Sequence, residues 1–221
     1  MSTRPRYLTF DCYGTLTAFG MSAATREIFA GRVPGEQMEE FLEWFSVYRG
    51  DEVMGDWRPY REIITRALVR AARRVGVEAT DTDADQIYEQ VPTWGPHPDV
   101  PDGLVTLAEQ YRLVILTNAA DEQISGNVGQ LGAPFHAVIT AEQARAYKPR
   151  LQAFEHMLTE LDCAPSEVVH VSASPRYDLQ PATDLGITQT VYLNRGYEPS
   201  APYYHRYEVS SLTELAEVLE G

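Results

Sequence analysis

Two hydrophobic rhythms alternate along the chain. Residues 7–11, YLTFD, form a short apolar run that ends in an aspartate, which predicts a buried strand. From about residue 20 to residue 91 the apolar positions recur every three or four residues. GEQMEEFLEWFSVYRG shows this spacing, and so does YREIITRALVRAARRVGV, which ends at Gly76. DTDADQIYEQV opens on capping residues and stops at Pro92. These segments predict a nearly all-helical block. PTWGPHPDVPDG then breaks the pattern with prolines and glycines, as a connector does.

Beyond the connector, strand-like and helix-like segments take turns. GLVTLAEQY reads as a helix, RLVILTN as a strand, DEQISGNVGQLG as a helix and HAVIT as a strand. PRLQAFEHMLTELD is a helix, EVVHVSAS a strand, LQPATDLG a helix, TQTVYLN a strand and SLTELAEVLE a last helix. This alternation predicts an α/β fold with a parallel sheet covered by helices on both faces. Residues 1–16 and 98–221 are expected to form the core, and residues 17–97 an inserted helical cap. A cleft between core and cap is where a small-molecule site is expected.

Composition narrows the function classes. Of 221 residues, 44% are hydrophobic and 23% charged, as in a folded globular protein. No apolar stretch approaches the length of a membrane span, and no signal-peptide core precedes the first strand. With two cysteines, Cys12 and Cys163, neither a disulfide framework nor a cysteine zinc site is implied, and the histidines show no zinc spacing. A cytoplasmic enzyme is the expectation. The net charge of −14 disfavours nucleic acid as a partner, because binding phosphates needs a basic face.

Ligands of open α/β sheets bind beyond the carboxyl ends of the strands. Three predicted strands end in polar signals there: Asp11 to Thr15, Thr117-Asn118, and Ser172 to Asp178. Lys148, in AYKPRLQAF, precedes a helix in the loop after the third strand. The order Asp-x-x-Gly-Thr, Thr-Asn, Lys-Pro and a late Ser/Asp loop resembles the haloacid dehalogenase superfamily. FDCYGTL resembles its type II haloacid dehalogenase branch, with VILTNAAD, YKPRLQAF and VYLNRG continuing the likeness over nearly the whole chain. The resemblance implies a Rossmann-like core with a helical cap.

It also implies roles. Asp11 becomes the nucleophile, forming an ester that water then hydrolyses. Thr15 orients Asp11, Gly14 permits the tight turn, and Lys148 keeps Asp11 ionised. Thr117 and Asn118 bind the substrate carboxylate. In the dehalogenases a serine, an asparagine and an aspartate of the late loop position the nucleophile and the attacking water. Here Ser172 and Asp178 remain, their interval is one residue longer, and Ser174 is the nearest polar substitute for the asparagine. Six residues after Lys148, the dehalogenases resembled here carry a tyrosine, where this chain has Phe154. A cap arginine is expected to hold the substrate carboxylate or the departing halide. Arg49 matches best by position, with Arg58 and Arg61 as rivals.

Phosphatases of the superfamily carry a second aspartate two residues after the nucleophile, as general acid. They also bind Mg²⁺ through the nucleophile and an acid of the late loop. Here those positions hold Tyr13 and Ala173. A phosphate dianion facing Asp11 at 4 Å would be repelled by about 8 kcal/mol at an effective dielectric of 20, twice the value for a carboxylate. Halide needs no proton to leave. The expectation is therefore a cofactor- and metal-independent hydrolase acting on a small 2-haloacid, with Tyr13 lining the substrate site. The alternatives are attack on another C–X bond, a weak phosphatase, or a non-catalytic relic binding a small anion. Resemblance alone implies a homodimer through the cap.

Overall fold

A computed structural model describes residues 5–220. The chain forms two compact units, one from the segments up to Ala18 and from Gly95 onward, the other from Phe19–Trp94. Among the described residues no helix is long and apolar enough to cross a membrane.

The first unit opens with β1 (Tyr7–Phe10), four residues that are all buried. In the second unit follow α1 (Met21–Ile28), α2 (Met38–Glu52), α3 (Tyr60–Arg74) and α4 (Asp81–Gln90). α2 and α3 pack together and are tied by ion pairs from Arg66 and Arg70 to Glu52, at 2.7 and 2.6 Å. α3 turns a stripe of Ile63, Ile64, Ala67, Leu68, Ala71 and Ala72 inward, the three-and-four spacing read from the sequence. α4 starts at a capping box, in which Thr80 accepts from the Asp83 N–H and the Asp83 carboxylate accepts from the Thr80 N–H.

Back in the first unit come α5 (Val100–Ala108), β2 (Arg112–Thr117), α6 (Asp121–Val128), β3 (Ala137–Thr140) and α7 (Ala141–Ala144). They are followed by α8 (Leu151–Glu160), β4 (Val168–Ser172), α9 (Gln180–Asp184), β5 (Gln189–Leu193), β6 (Tyr207–Val209) and α10 (Leu212–Glu220). The six strands form one sheet in the order β3-β2-β1-β4-β5-β6, with every neighbouring pair parallel. The α/β fold is as expected, with β6 added at the edge.

Alternation along the strands explains the two layers. Leu8 and Phe10, with Leu113, Ile115, Val169 and Val171, join side chains of α5 and α10 in one cluster. Tyr7, Val114, Leu116 and Val168 join Phe154 and Met157 of α8 and Ala182 of α9 in another. Each large apolar side chain so buried contributes about 1.5–3 kcal/mol. β1 lies between β2 and β4 with Phe10 level with Ile115 and Val171. Asp11, one residue on, therefore emerges beside the ends of both neighbours.

Candidate active site

The first loop is wound around one carbonyl. The Cys12 C=O accepts the N–H groups of Thr15, Leu16 and Thr17 at 3.2, 2.8 and 2.9 Å. Gly14 takes φ +90°, a left-handed conformation that side-chain-bearing residues rarely adopt. The turn brings the Thr15 hydroxyl back to Asp11, where it donates to Oδ2 at 2.7 Å. The same hydroxyl oxygen accepts the Ala173 N–H at 2.9 Å, joining the first loop to the last. Cys12 is fully buried, and burial, with the Asp11 charge next, pushes its thiol far up, so it is a packing group.

Lys148 is the centre of the cluster. Its side chain is 2% exposed, and Nζ donates to Asp11 Oδ1 at 2.8 Å, Asp178 Oδ1 at 2.7 Å and the Leu116 C=O at 2.8 Å. All three ammonium protons are thereby used. The Asn118 side chain holds the lysine's backbone from both sides, accepting from the Lys148 N–H at 2.7 Å and donating to its C=O at 2.9 Å. Asp178 lies in a π-helical turn, Pro175–Leu179, just before α9, which carries it under the strand ends.

One buried lysine serves two buried carboxylates, and they respond oppositely. Burial raises Asp11, Lys148 lowers it and the Asp178 charge raises it again; the net direction is upward. Burial also acts to raise Asp178, but Lys148 and a hydrogen bond from His170 outweigh it and hold this carboxyl low. Lys148 is itself raised, because both carboxylates outweigh its desolvation. If the reaction needs ionised Asp11, kcat/KM should fall on the acid side at a pH above the ordinary aspartate value of 3.8. A pH–rate profile with its acid limb at or below that value would remove this electrostatic picture.

The remaining expected residues are placed differently. Tyr13 donates its hydroxyl to Asn127 Oδ1 at 2.7 Å. The Thr117 hydroxyl accepts from the Ala119 N–H at 3.2 Å and so braces its own loop. Ser172 Oγ accepts from the Ser174 N–H at 3.0 Å. Ser174 Oγ accepts from the Tyr177 N–H and donates to Glu198 at 2.8 Å, so it caps the π-helical turn. Thus Asp11, Thr15, Lys148 and Asp178 form one bonded cluster, with Asn118 gripping the lysine's backbone and Ser172 and Ser174 shaping the late loop.

In the helical unit, Arg49 ends α2 with its guanidinium over the rings of Phe19 and Phe45, at 5.3 and 4.9 Å. Its Nε is buried with no hydrogen-bond partner, and it has no ion pair among the described residues. Arg58 pairs with Glu62 at 2.7 Å and Arg61 with Asp85.

Two contributors escaped the reading of the sequence. Arg195 donates from Nε to the Thr15 C=O at 3.1 Å and grips Asp99 with both terminal nitrogens at 2.8 and 3.1 Å. It ties the loop after Asp11 to Asp99. His170 contacts Asp178; its signal was present as the one polar residue inside the apolar run VVHV.

The model of the haloacid dehalogenase-like hydrolase family matches residues 5–186, most of the chain. The chain belongs to the haloacid dehalogenase-like hydrolase family. Among haloacid dehalogenase-like hydrolases, it is 27% identical to (S)-2-haloacid dehalogenase 1 of Pseudomonas sp., over 97% of this chain and 96% of that protein. Human N-acylneuraminate-9-phosphatase is 30% identical over 56% of this chain and 51% of its own. The structure of L-2-haloacid dehalogenase from Xanthobacter autotrophicus superposes with a TM-score of 0.82 at 21% identity, covering 98% of this chain and 99% of that one. That likeness shows the fold.

Magnesium, which the family's phosphatases use, asks for more oxygen ligands than this donor set offers. Tyr13 and Ala173 stand at the carboxylate positions, and the Oδ1 atoms of Asp11 and Asp178 both face Lys148. Among the described residues no three His, Cys, Asp or Glu side chains are grouped to hold a metal ion.

Proposed function

We propose that this haloacid dehalogenase-like hydrolase displaces halide from a small 2-haloacid without a metal, through an ester on Asp11. The observation that carries the reading is the tyrosine that stands two residues after Asp11, where a leaving-group acid would be needed. Asp11 is held by Thr15 and Lys148, while the position of a leaving-group acid is a tyrosine whose hydroxyl donates to Asn127. Such a site suits a leaving group that departs without a proton. The near full-length likeness to a 2-haloacid dehalogenase supports the substrate class, whereas the likeness to the phosphatase covers just over half of the chain.

The chemistry takes two steps. An Asp11 carboxylate oxygen bonds to the carbon bearing the halogen as the C–X bond breaks, and the halide leaves with the electron pair. Water then adds to Cγ of the ester and gives a proton to Asp178. The bond from Cγ to the alkyl oxygen breaks, and the alkoxide takes that proton to become the 2-hydroxy acid. Asp11 is left as a carboxylic acid and releases its proton to solvent. The oxygen in the product comes from Asp11, and the water oxygen stays on the enzyme. Lys148 offsets the negative charge through both steps.

Arg49 is the proposed cation for the substrate carboxylate. A chain of net charge −14 repels small anions at long range, so affinity must come from a local contact. Arg49 has no ion pair among the described residues, unlike Arg58 and Arg61. Arg49→Ala should lower kcat/KM about ten- to a hundredfold, the loss of one charge-assisted contact worth about 1.5–3 kcal/mol. Arg49→Lys should recover part of it, since the two-pronged grip is lost. Normal kinetics in Arg49→Ala, with failure in Arg58→Ala or Arg61→Ala, would move the role to another arginine.

Chloride release from 2-chloropropionate in the presence of EDTA tests the reading. We expect full activity after chelation, and no Mg²⁺-stimulated phosphate release from p-nitrophenyl phosphate. Turnover that disappears in EDTA and returns with Mg²⁺, or phosphatase activity alone, would overturn it.

A further inference from the structure

We propose that His170 is a positioning residue for the hydrolytic step, donating from Nε2 to Asp178 Oδ1 so that Oδ2 is left to take the proton of the attacking water. The proposal rests on the ester reading above, in which Asp178 receives that proton.

His170 is fully buried in the middle of β4, edge-on to Phe154 with ring centroids 5.2 Å apart. A buried imidazole must have both nitrogens satisfied, and here each has one neighbour. Nδ1 lies 2.8 Å from Thr9 Oγ1, and Nε2 lies 3.1 Å from Asp178 Oδ1. Proton counting then selects the tautomer. Asp178 is held low, so its carboxylate has no proton to give. A bare Nε2 would face it lone pair to lone pair. The proton therefore sits on Nε2. Thr9 has one hydroxyl proton and two acceptors in reach, Nδ1 at 2.8 Å and the Val169 C=O at 3.2 Å. Donation to Nδ1, the shorter contact, gives both ring nitrogens a partner.

The consequence lies at Asp178. Lys148 and His170 both donate to Oδ1, at 2.7 and 3.1 Å. Oδ2 is buried and has no hydrogen-bond partner among the described residues. An orphaned carboxylate oxygen inside a protein is costly, and it marks an acceptor kept open. Two donors on one oxygen fix the carboxylate plane and leave Oδ2 as the open acceptor. With Lys148 alone the carboxylate could rotate about Cβ–Cγ and exchange its oxygens. Carbon–halogen cleavage does not use Asp178, so His170 should matter to the second step and not to the first.

The test compares His170→Leu, which removes the donor, with His170→Gln, whose side-chain N–H lies near the Nε2 position. Rapid-quench reactions with 2-chloropropionate follow chloride release and the mass of the Asp11 peptide. In His170→Leu we expect a chloride burst at the wild-type rate, then steady turnover slowed about ten- to a hundredfold with the Asp11 ester accumulating. KM should fall together with kcat, and His170→Gln should recover part of the rate. Equal slowing of burst and steady state, or an unchanged steady state without ester, would overturn the proposal. Imidazole ¹⁵N shifts of the wild-type protein give a second readout that needs neither folding of a variant nor a substrate. They should report a proton on Nε2 of His170, and a proton on Nδ1 alone would overturn the assignment. Absence of chloride release by the wild type from any 2-haloacid would strike the function reading, while the ¹⁵N result would still decide the position of the proton.

Discussion

Asp11→Asn should abolish dehalogenation, by on the order of a millionfold, while leaving the protein folded. An amide cannot attack carbon as a carboxylate does, and the remaining cluster has no second nucleophile in its place. The folding half of the expectation follows from charge. Asp11 and Asp178 share one buried lysine, and the Asp11 carboxyl is the one raised by burial. A raised aspartate contributes full stability below its unfolded value of 3.8, and that contribution is lost as pH rises through the higher folded value. At neutral pH the substitution removes the Asp11 charge while Lys148 keeps Asp178 as its partner, so the protein should stay folded with an unfolding midpoint near that of the wild type. Measured turnover in a variant shown by mass to be undeamidated would take Asp11 out of the mechanism. A collapsed midpoint would instead make Asp11 a structural residue.

Lys148→Met should fail in both respects. The ammonium makes three hydrogen bonds at 2.7 to 2.8 Å and is 2% exposed, so its removal leaves two carboxylates facing each other without a cation. Breaking a buried ionic cluster in this way costs about 3–5 kcal/mol. The sign of its pH dependence is fixed: without the lysine both carboxyls move up, so the deficit should deepen as pH rises from the ordinary aspartate range toward neutrality. Denaturant unfolding at two pH values checks this, and a deficit that shrank with rising pH would contradict it. Turnover should be lost as well, because Asp11 would lose the cation that favours its charged form.

The outcome also shows what the chain makes readable. β1 was legible because a four-residue apolar run ends sharply at Asp11, and α3 because its apolar stripe keeps helical spacing over four turns. β6 was not, since three residues at a sheet edge, one of them exposed, carry no periodicity. Asp11, Thr15, Lys148 and Asp178 could be named because parallel strands bring loops that are distant in sequence to one edge. Which atom each would hold could not. Asn118 reads as a ligand of substrate, yet its amide grips the Lys148 backbone, a contact set by the path of two loops and by no local pattern. The π-helical turn at Pro175–Leu179 is equally silent, because it depends on Ser174 bonding both the Tyr177 N–H and Glu198. Arg195 lies just past the strand read as TQTVYLN, and its grip on the Thr15 carbonyl spans 180 positions of chain.

In the proposed mechanism Asp11 forms an ester whose Cγ is attacked by water. A single turnover of 2-chloropropionate by excess protein in water enriched in oxygen-18 tests it most directly. We expect heavy oxygen in the carboxylate of the Asp11 peptide and none in the newly formed hydroxyl of the product. Heavy oxygen in that hydroxyl, with an unlabelled Asp11, would mean that water attacks the substrate itself and that no ester forms on Asp11.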